Sequence, residues 1–169
     1  LHIPTDDANR IIVAAHCYDP YNFCLAPVAS GTDSWGHNAN PLTSVAGANE
    51  EYVIAQLYKL RRAYIDKGIP CYLGEYGCVW QTTESANAFR KYYLEFFCRA
   101  AYLAGIPMFV WDNNSKDAGD EANGYIDHAS GAWLNDSETV VPMMIRACTD
   151  TDESYWFPTI WDHSPVPVD

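Results

Sequence analysis

The chain has 169 residues, enough for one domain with a core, and carries 22 Asp and Glu against 10 Lys and Arg, for a formal net charge of −12. Such acidity argues against nucleic acid as a partner, because phosphate binding needs clustered Lys and Arg. No apolar run approaches the ~18–20 residues that cross a bilayer, so a membrane is not expected as a partner either.

Residues 1–10 read as an irregular lead-in. The chain starts at Leu1 with no Met and no signal-like segment, as a processed chain or a piece of a longer one would. Ile11-Ile12-Val13-Ala14-Ala15 predicts a first short buried strand, about 11–16, ending on His16-Cys17-Tyr18. Residues 17–46 form a long loop rich in Pro, Gly, Ser, Asn and aromatics, of a length that usually serves function. A helix is predicted over 49–67, with Asn49 as cap, Glu50 and Glu51 at its positive end and Arg61, Arg62 and Lys67 at the other. Gly68 stops it and Pro70 prevents its continuation.

A second strand, 71–75, ends on Glu75. A second long helix follows at 84–104, capped by Thr83, with Ala88, Tyr92, Phe96 and Tyr102 as its apolar stripe. Gly105-Ile106-Pro107 then repeats the punctuation of Gly68-Ile69-Pro70 and opens a third strand, 107–111, ending on Trp111-Asp112-Asn113. Residues 112–136 are again a long polar loop. The last helix, 138–148, carries Pro142, which is expected near its first turn. The tail, 149–169, holds Tyr155, Trp156, Phe157 and Trp161, aromatics that should pack on something.

Strand and helix therefore alternate three times, which predicts an α/β protein with parallel strands and right-handed crossovers. Function at the C-terminal ends of such strands is the habit of barrels built from βα units. A closed eight-unit barrel takes ~250 residues, however, and this chain is too short for one. Six cysteines (Cys17, Cys24, Cys71, Cys78, Cys98 and Cys148) show no zinc spacing. They read as mostly free buried thiols, with Cys17 and Cys24, in one loop region, as the exception.

Leu73-Gly74-Glu75-Tyr76-Gly77 is the sharpest motif: a carboxylate at a strand end, between two glycines that let backbone approach a ligand closely. Each candidate taken alone has an ordinary reading. A strand-terminal Glu is often an ion-pair partner, a His a satisfied core residue, and a Trp a packing element.

Together the motifs are more specific. Ile11 to Phe23, then Gly68-Ile69-Pro70 with Leu73 to Gly77, then Ile106-Pro107 with Trp111-Asp112-Asn113 resemble glycoside hydrolase family 5, the cellulase family of retaining β-glycanases on a (β/α)8 TIM barrel. Order and spacing correspond to strands six, seven and eight. The resemblance implies a partial barrel catalytic domain over residues 1–148, a tail over 149–169 packed on it, and kinship with the endoglucanase and xyloglucanase-like branch. Carried onto this sequence, Glu75 matches the nucleophile and His16 and Tyr18 the His-x-Tyr pair beside it. Trp111 matches the tryptophan that floors the sugar subsite, and Trp35 a tryptophan near the cleft. Asp112 and Asn113 are expected to support their loop, and His37 and His128 have no expected role.

Retention needs a second carboxylate about 5–5.5 Å from the first. In the family it belongs to an Asn-Glu-Pro motif ending strand four, which this sequence lacks. Asn49-Glu50-Glu51 resembles it only superficially, at a helix start after the first strand. The resemblance therefore implies a C-terminal piece of an endo-β-1,4-glucanase that carries the nucleophile without the acid/base. The implied partners are a β-glucan and the N-terminal half of the barrel, or a second copy of this chain. The chemistry implies no metal or other cofactor, and the parent is expected to be secreted or periplasmic. A non-catalytic sugar-binding or self-assembling half-barrel is the alternative, as is another β-glycanase such as a mannanase or lichenase.

Overall fold

The computed structural model describes residues 3–166; residues 1–2 of the lead-in and 167–169 of the tail lie outside the described residues. Three strands, β1 (Val13–Cys17), β2 (Cys71–Tyr76) and β3 (Met108–Val110), form one parallel sheet in chain order, with β2 in the centre. The repeated Gly-Ile-Pro is the joint of this sheet. Gly68 and Gly105 both take left-handed backbone, which ends the preceding helical turn without a Cβ penalty. The isoleucine amides that follow turn back to Tyr64 and Ala101, and the Pro70 and Pro107 carbonyls accept from Val13 and Leu73 of the neighbouring strands. One sequence motif thus performs the same helix stop and strand start twice.

Helix α3 spans Glu50–Ala63, followed by a 3₁₀ turn at Ile65–Lys67, close to the expected 49–67. Asn49 holds the cap position but makes no side-chain cap bond. Helix α4 is Glu84–Ala104, with Thr83 Oγ1 accepting from the Ala86 amide at 3.2 Å. Its burial differs from a simple stripe: Ala88 and Tyr102 are exposed, while Phe89, Tyr93, Leu94, Phe97 and Cys98 join Tyr92 and Phe96 in the core. The reason is its position, with α3 on one flank and α5 (Ser137–Thr149) and α6 (Phe157–Trp161) on others. Pro142 lies further into α5 than expected, because the helix starts at Ser137. The carbonyl its missing N–H would have met is that of Glu138, which is exposed to water.

The long loops are partly structured. Residues 17–46 include two single-turn helices, α1 (Tyr21–Cys24) and α2 (Pro27–Ser30), each with a proline at or just before its first residue. Residues 112–136 contain one isolated antiparallel bridge, Ile126 to Trp133. In the tail, Tyr155 and Ile160 are buried, and Tyr155 Oη donates to Glu95 Oε1 of α4 at 2.8 Å.

Only one face of the sheet is covered. Val13, Cys71, Leu73 and Tyr76 are buried on the helix side, whereas Ile12 is 58% and Phe109 61% exposed. Tyr72 and Phe109 pack edge to face on one another, with ring centroids 5.7 Å apart.

Candidate functional site

A strict alternation along β2 would send Leu73, Glu75 and Gly77 to the same side, the core side. The chain avoids this with a bulge. Ala15 pairs with Leu73, but the next residue of β1, His16, pairs with Glu75, so Gly74 is the extra residue. The shift turns Glu75 away from the core and sends Tyr76 into it, where its ring stacks on Phe97 at 5.3 Å. Glycine suits the bulge for a second reason. A Cβ on Gly74 would lie 3.3 Å from His16 Nε2.

The result is a half-buried carboxylate, 29% exposed, at the C-terminal end of the central strand. Tyr18 Oη donates to Glu75 Oε2 at 2.9 Å, and His16 Nδ1 lies 3.5 Å from the same oxygen. Burial first, then the hydrogen bond to Glu75 and its negative charge, push the Tyr18 phenol well above its ordinary range. Tyr18 is therefore a donor at any physiological pH, and it fixes the orientation of the carboxylate. An oriented, solvent-facing carboxylate with one oxygen held and the other open has the geometry of a nucleophile.

Trp111 follows β3 directly. Its amide donates to the Tyr76 carbonyl at 2.9 Å, which seats it beside the end of β2, and its side chain is 43% exposed. Such a ring offers a flat, solvent-facing apolar surface at the C-terminal end of the sheet. Asp112 and Asn113 turn inward to their own loop, as expected of supports. Asp112 accepts from the amides of Asn114, Tyr125 and Ile126, and Asn113 from those of Ser115 and Asn123.

Trp35, expected near the cleft, is an interior residue instead. It is 2% exposed and packs in the core, its ring edge-on to Tyr93 at 4.9 Å and against Tyr92 and Phe96. The loop that carries it folds over α4, and an indole there gains more from three aromatic neighbours than from a place on the surface. Glu50 is likewise an interior residue. It is fully buried and accepts from Tyr92 Oη at 2.7 Å and from the His37 amide at 2.9 Å, with His37 Nδ1 at 2.8 Å. His37 stacks on Trp161 in turn, and His128 lies against Asp112. Cys17 and Cys24, the expected exception, are free thiols like the other four.

Two further residues shape the site: Gly77, which belongs to the motif around Glu75, and Asn123, which no sequence signal marks. A Cβ on Gly77 would meet Asn123 Oδ1 at 2.8 Å and the Tyr18 ring at 3.6 Å, so the 112–136 loop reaches in behind Tyr18 only because position 77 is glycine. Asn123 itself is buried, and neither its amide nitrogen nor its oxygen has a protein partner.

The family model for cellulase, glycosyl hydrolase family 5, matches residues 1–117, a stretch that contains β1 to β3, Glu75, His16, Tyr18 and Trp111. The chain belongs to glycosyl hydrolase family 5. Endoglucanase A of Ruminococcus albus is 29% identical over 140 residues, which cover 81% of this family 5 chain and 34% of that protein. A native Bacteroidetes-affiliated family 5 cellulase linked with a polysaccharide utilization locus superposes with a TM-score of 0.90 at 34% identity, over 98% of this chain and 42% of that one. A family 5 lichenase from Caldicellulosiruptor sp. F32, in complex with cellotetraose, superposes with a TM-score of 0.69 at 32% identity, over 86% of this chain and 38% of that one. The chain thus spans about a third of the length of the curated relative and less than half of either structure.

Proposed function

We propose that this chain is the C-terminal sector of a retaining endo-β-1,4-glucanase, with β1, β2 and β3 as strands six, seven and eight of a (β/α)8 barrel. Residues 1–148 are the sector and 149–169 its tail. Glu75 is the nucleophile, attacking the anomeric carbon to give a covalent glycosyl-enzyme that water later hydrolyses. Tyr18 positions Glu75, His16 borders the reacting sugar, and Trp111 floors the adjacent subsite. The observation that carries this reading is the Glu75 carboxylate, turned onto the open face by the Gly74 bulge and held there by the Tyr18 hydroxyl at 2.9 Å.

The proton donor comes from outside this chain. Glu50 is sealed in the core by Tyr92 and His37, and Asp112 is occupied by loop amides, so neither is free to protonate a leaving oxygen beside Glu75. A relative bound to cellotetraose supports a β-1,4-linked glucan as substrate. A polysaccharide is met outside the cytoplasm, so the parent is secreted or periplasmic. Among the described residues, no helix is long and apolar enough to cross a membrane.

The exposed Ile12 and Phe109 on the sheet's open face favour the N-terminal half of the barrel as the partner in catalysis. The test is complementation. A separately made N-terminal fragment bearing the Asn-Glu-Pro motif, mixed with this chain, should restore hydrolysis of a soluble β-glucan, and Glu75→Gln should abolish it. A tight complex that stays inactive, or one that stays active with Glu75→Gln, would refute the assignment. Binding of cello-oligosaccharides without turnover and unaffected by Glu75→Gln would favour a non-catalytic sugar-binding module.

A further inference from the structure

Where α5 packs on α4, two thiols come together behind the sheet. Cys98 of α4 is fully buried, with its Sγ 3.3 Å from the hydroxyl of Tyr76, the neighbour of Glu75. Cys148, in the last turn of α5, is half-buried, and its Sγ lies 4.0 Å from the Cys98 carbonyl oxygen. The two thiols are near enough for each to bear on the other's titration. Cys148 further lines a pocket with Tyr102, Ile106, Pro107 and Met108, at the N-terminal end of β3. One thiol therefore meets solvent through an apolar opening, and the other stands directly behind it.

We propose that Cys148 and Cys98 form a thiol–disulfide exchange pair, with Cys148 the entry thiol for a low-mass disulfide and Cys98 the resolving thiol. Hydrogen bonding from Cys98, aided by the buried Arg99 guanidinium, draws the Cys148 thiol below its ordinary range, while burial pushes Cys98 up. That is the asymmetry such a pair requires. The Cys148 thiolate attacks one sulfur of the incoming disulfide RSSR, forming a Cys148–S–S–R bond and releasing RS⁻. Cys98 then attacks the Cys148 sulfur, the S–S bond between Cys148 and the SR group breaks, and a second RS⁻ leaves. The two thiol protons end on the two RS⁻ groups, so two protein thiols and RSSR become one protein disulfide and two RSH. The new bond ties α5 to α4.

Cys24 and Cys78 supply an internal comparison. They too bear on one another's titration, yet both are fully buried, so a small oxidant cannot reach them in the folded chain. The experiment treats the native chain with oxidised glutathione, blocks the remaining thiols, and maps peptides without reduction. Expected is a Cys98–Cys148 crosslink with loss of both thiols, no lasting adduct, and reduced Cys24 and Cys78. With Cys98→Ser or Cys98→Ala, the glutathione adduct should persist on Cys148, and with Cys148→Ser the Cys98 thiol should stay free. A lasting adduct at Cys148 in the wild-type chain, two unreacted thiols at 98 and 148, or oxidation of the Cys24–Cys78 pair at the same rate would overturn the proposal. No readout involves a glucan, so the result is independent of the glycosidase assignment.

Discussion

Glu75 shows how little of a side chain's role lies in its own chemistry. Its neighbours Tyr18 and His16 reach it from β1 and the residues after it, and the 2.9 Å bond from Tyr18 is what turns a surface carboxylate into an aimed one. Tyr18→Phe keeps the ring and removes only this donor. In the complemented enzyme, kcat should fall about 10²-fold, the scale of losing one well-placed donor at a reacting centre, with little change in KM. Steady-state kinetics on a soluble β-glucan measure it. An unchanged kcat would mean that Glu75 is oriented by something else.

Among the elements, α4 does most to hold the molecule together. It has α3, α5 and α6 packed around it, and it carries the aromatic cluster that receives Tyr76 and Trp35. Phe97 stacks on both Tyr76 and Tyr93 and has no exposed surface, so Phe97→Ala should destabilise the chain by about 3–5 kcal/mol in urea unfolding. The 112–136 loop has its own constraint. A Cβ at Gly124 would fall 1.9 Å from the Ser115 carbonyl oxygen, a backbone clash that side-chain movement cannot relieve. Gly124→Ala should therefore loosen the loop and expose it to protease. Limited proteolysis of the variant beside the unaltered chain measures it, and equal cleavage rates would show that the loop absorbs the added Cβ.

At the scale of the whole molecule, the sheet is finished on one side only. Its helix face is covered at Val13, Cys71, Leu73 and Tyr76, while Ile12, Phe109 and Trp111 are exposed and, among the described residues, both edge strands have unpaired backbone on their outer sides. Apolar surface of this kind seeks cover, and the net charge of −12 opposes loose aggregation without removing the drive. The isolated chain should therefore associate at micromolar concentration, and adding the N-terminal part should convert it to a one-to-one complex. Light scattering after size exclusion decides the point: a stable compact monomer would show that the open face needs no partner.

By itself the sequence determined the order of the three strands and the three long helices, the strand ends to within about two residues, and the family. Those signals are local: Gly-Ile-Pro stops a helix and starts a strand wherever it occurs, Thr83 caps the helix beside it, and a strand's last residues are its last residues in any context. The tertiary structure alone decided which way the side chains face. Whether Glu75 points to the core or to solvent depends on a one-residue bulge against β1, which no pattern within β2 records. Trp35 became core, Glu50 a buried hub, and Cys98 a partner of Cys148 because segments far apart in sequence pack on α4. Their burial is set by what lies across the interface, and that information belongs to the fold.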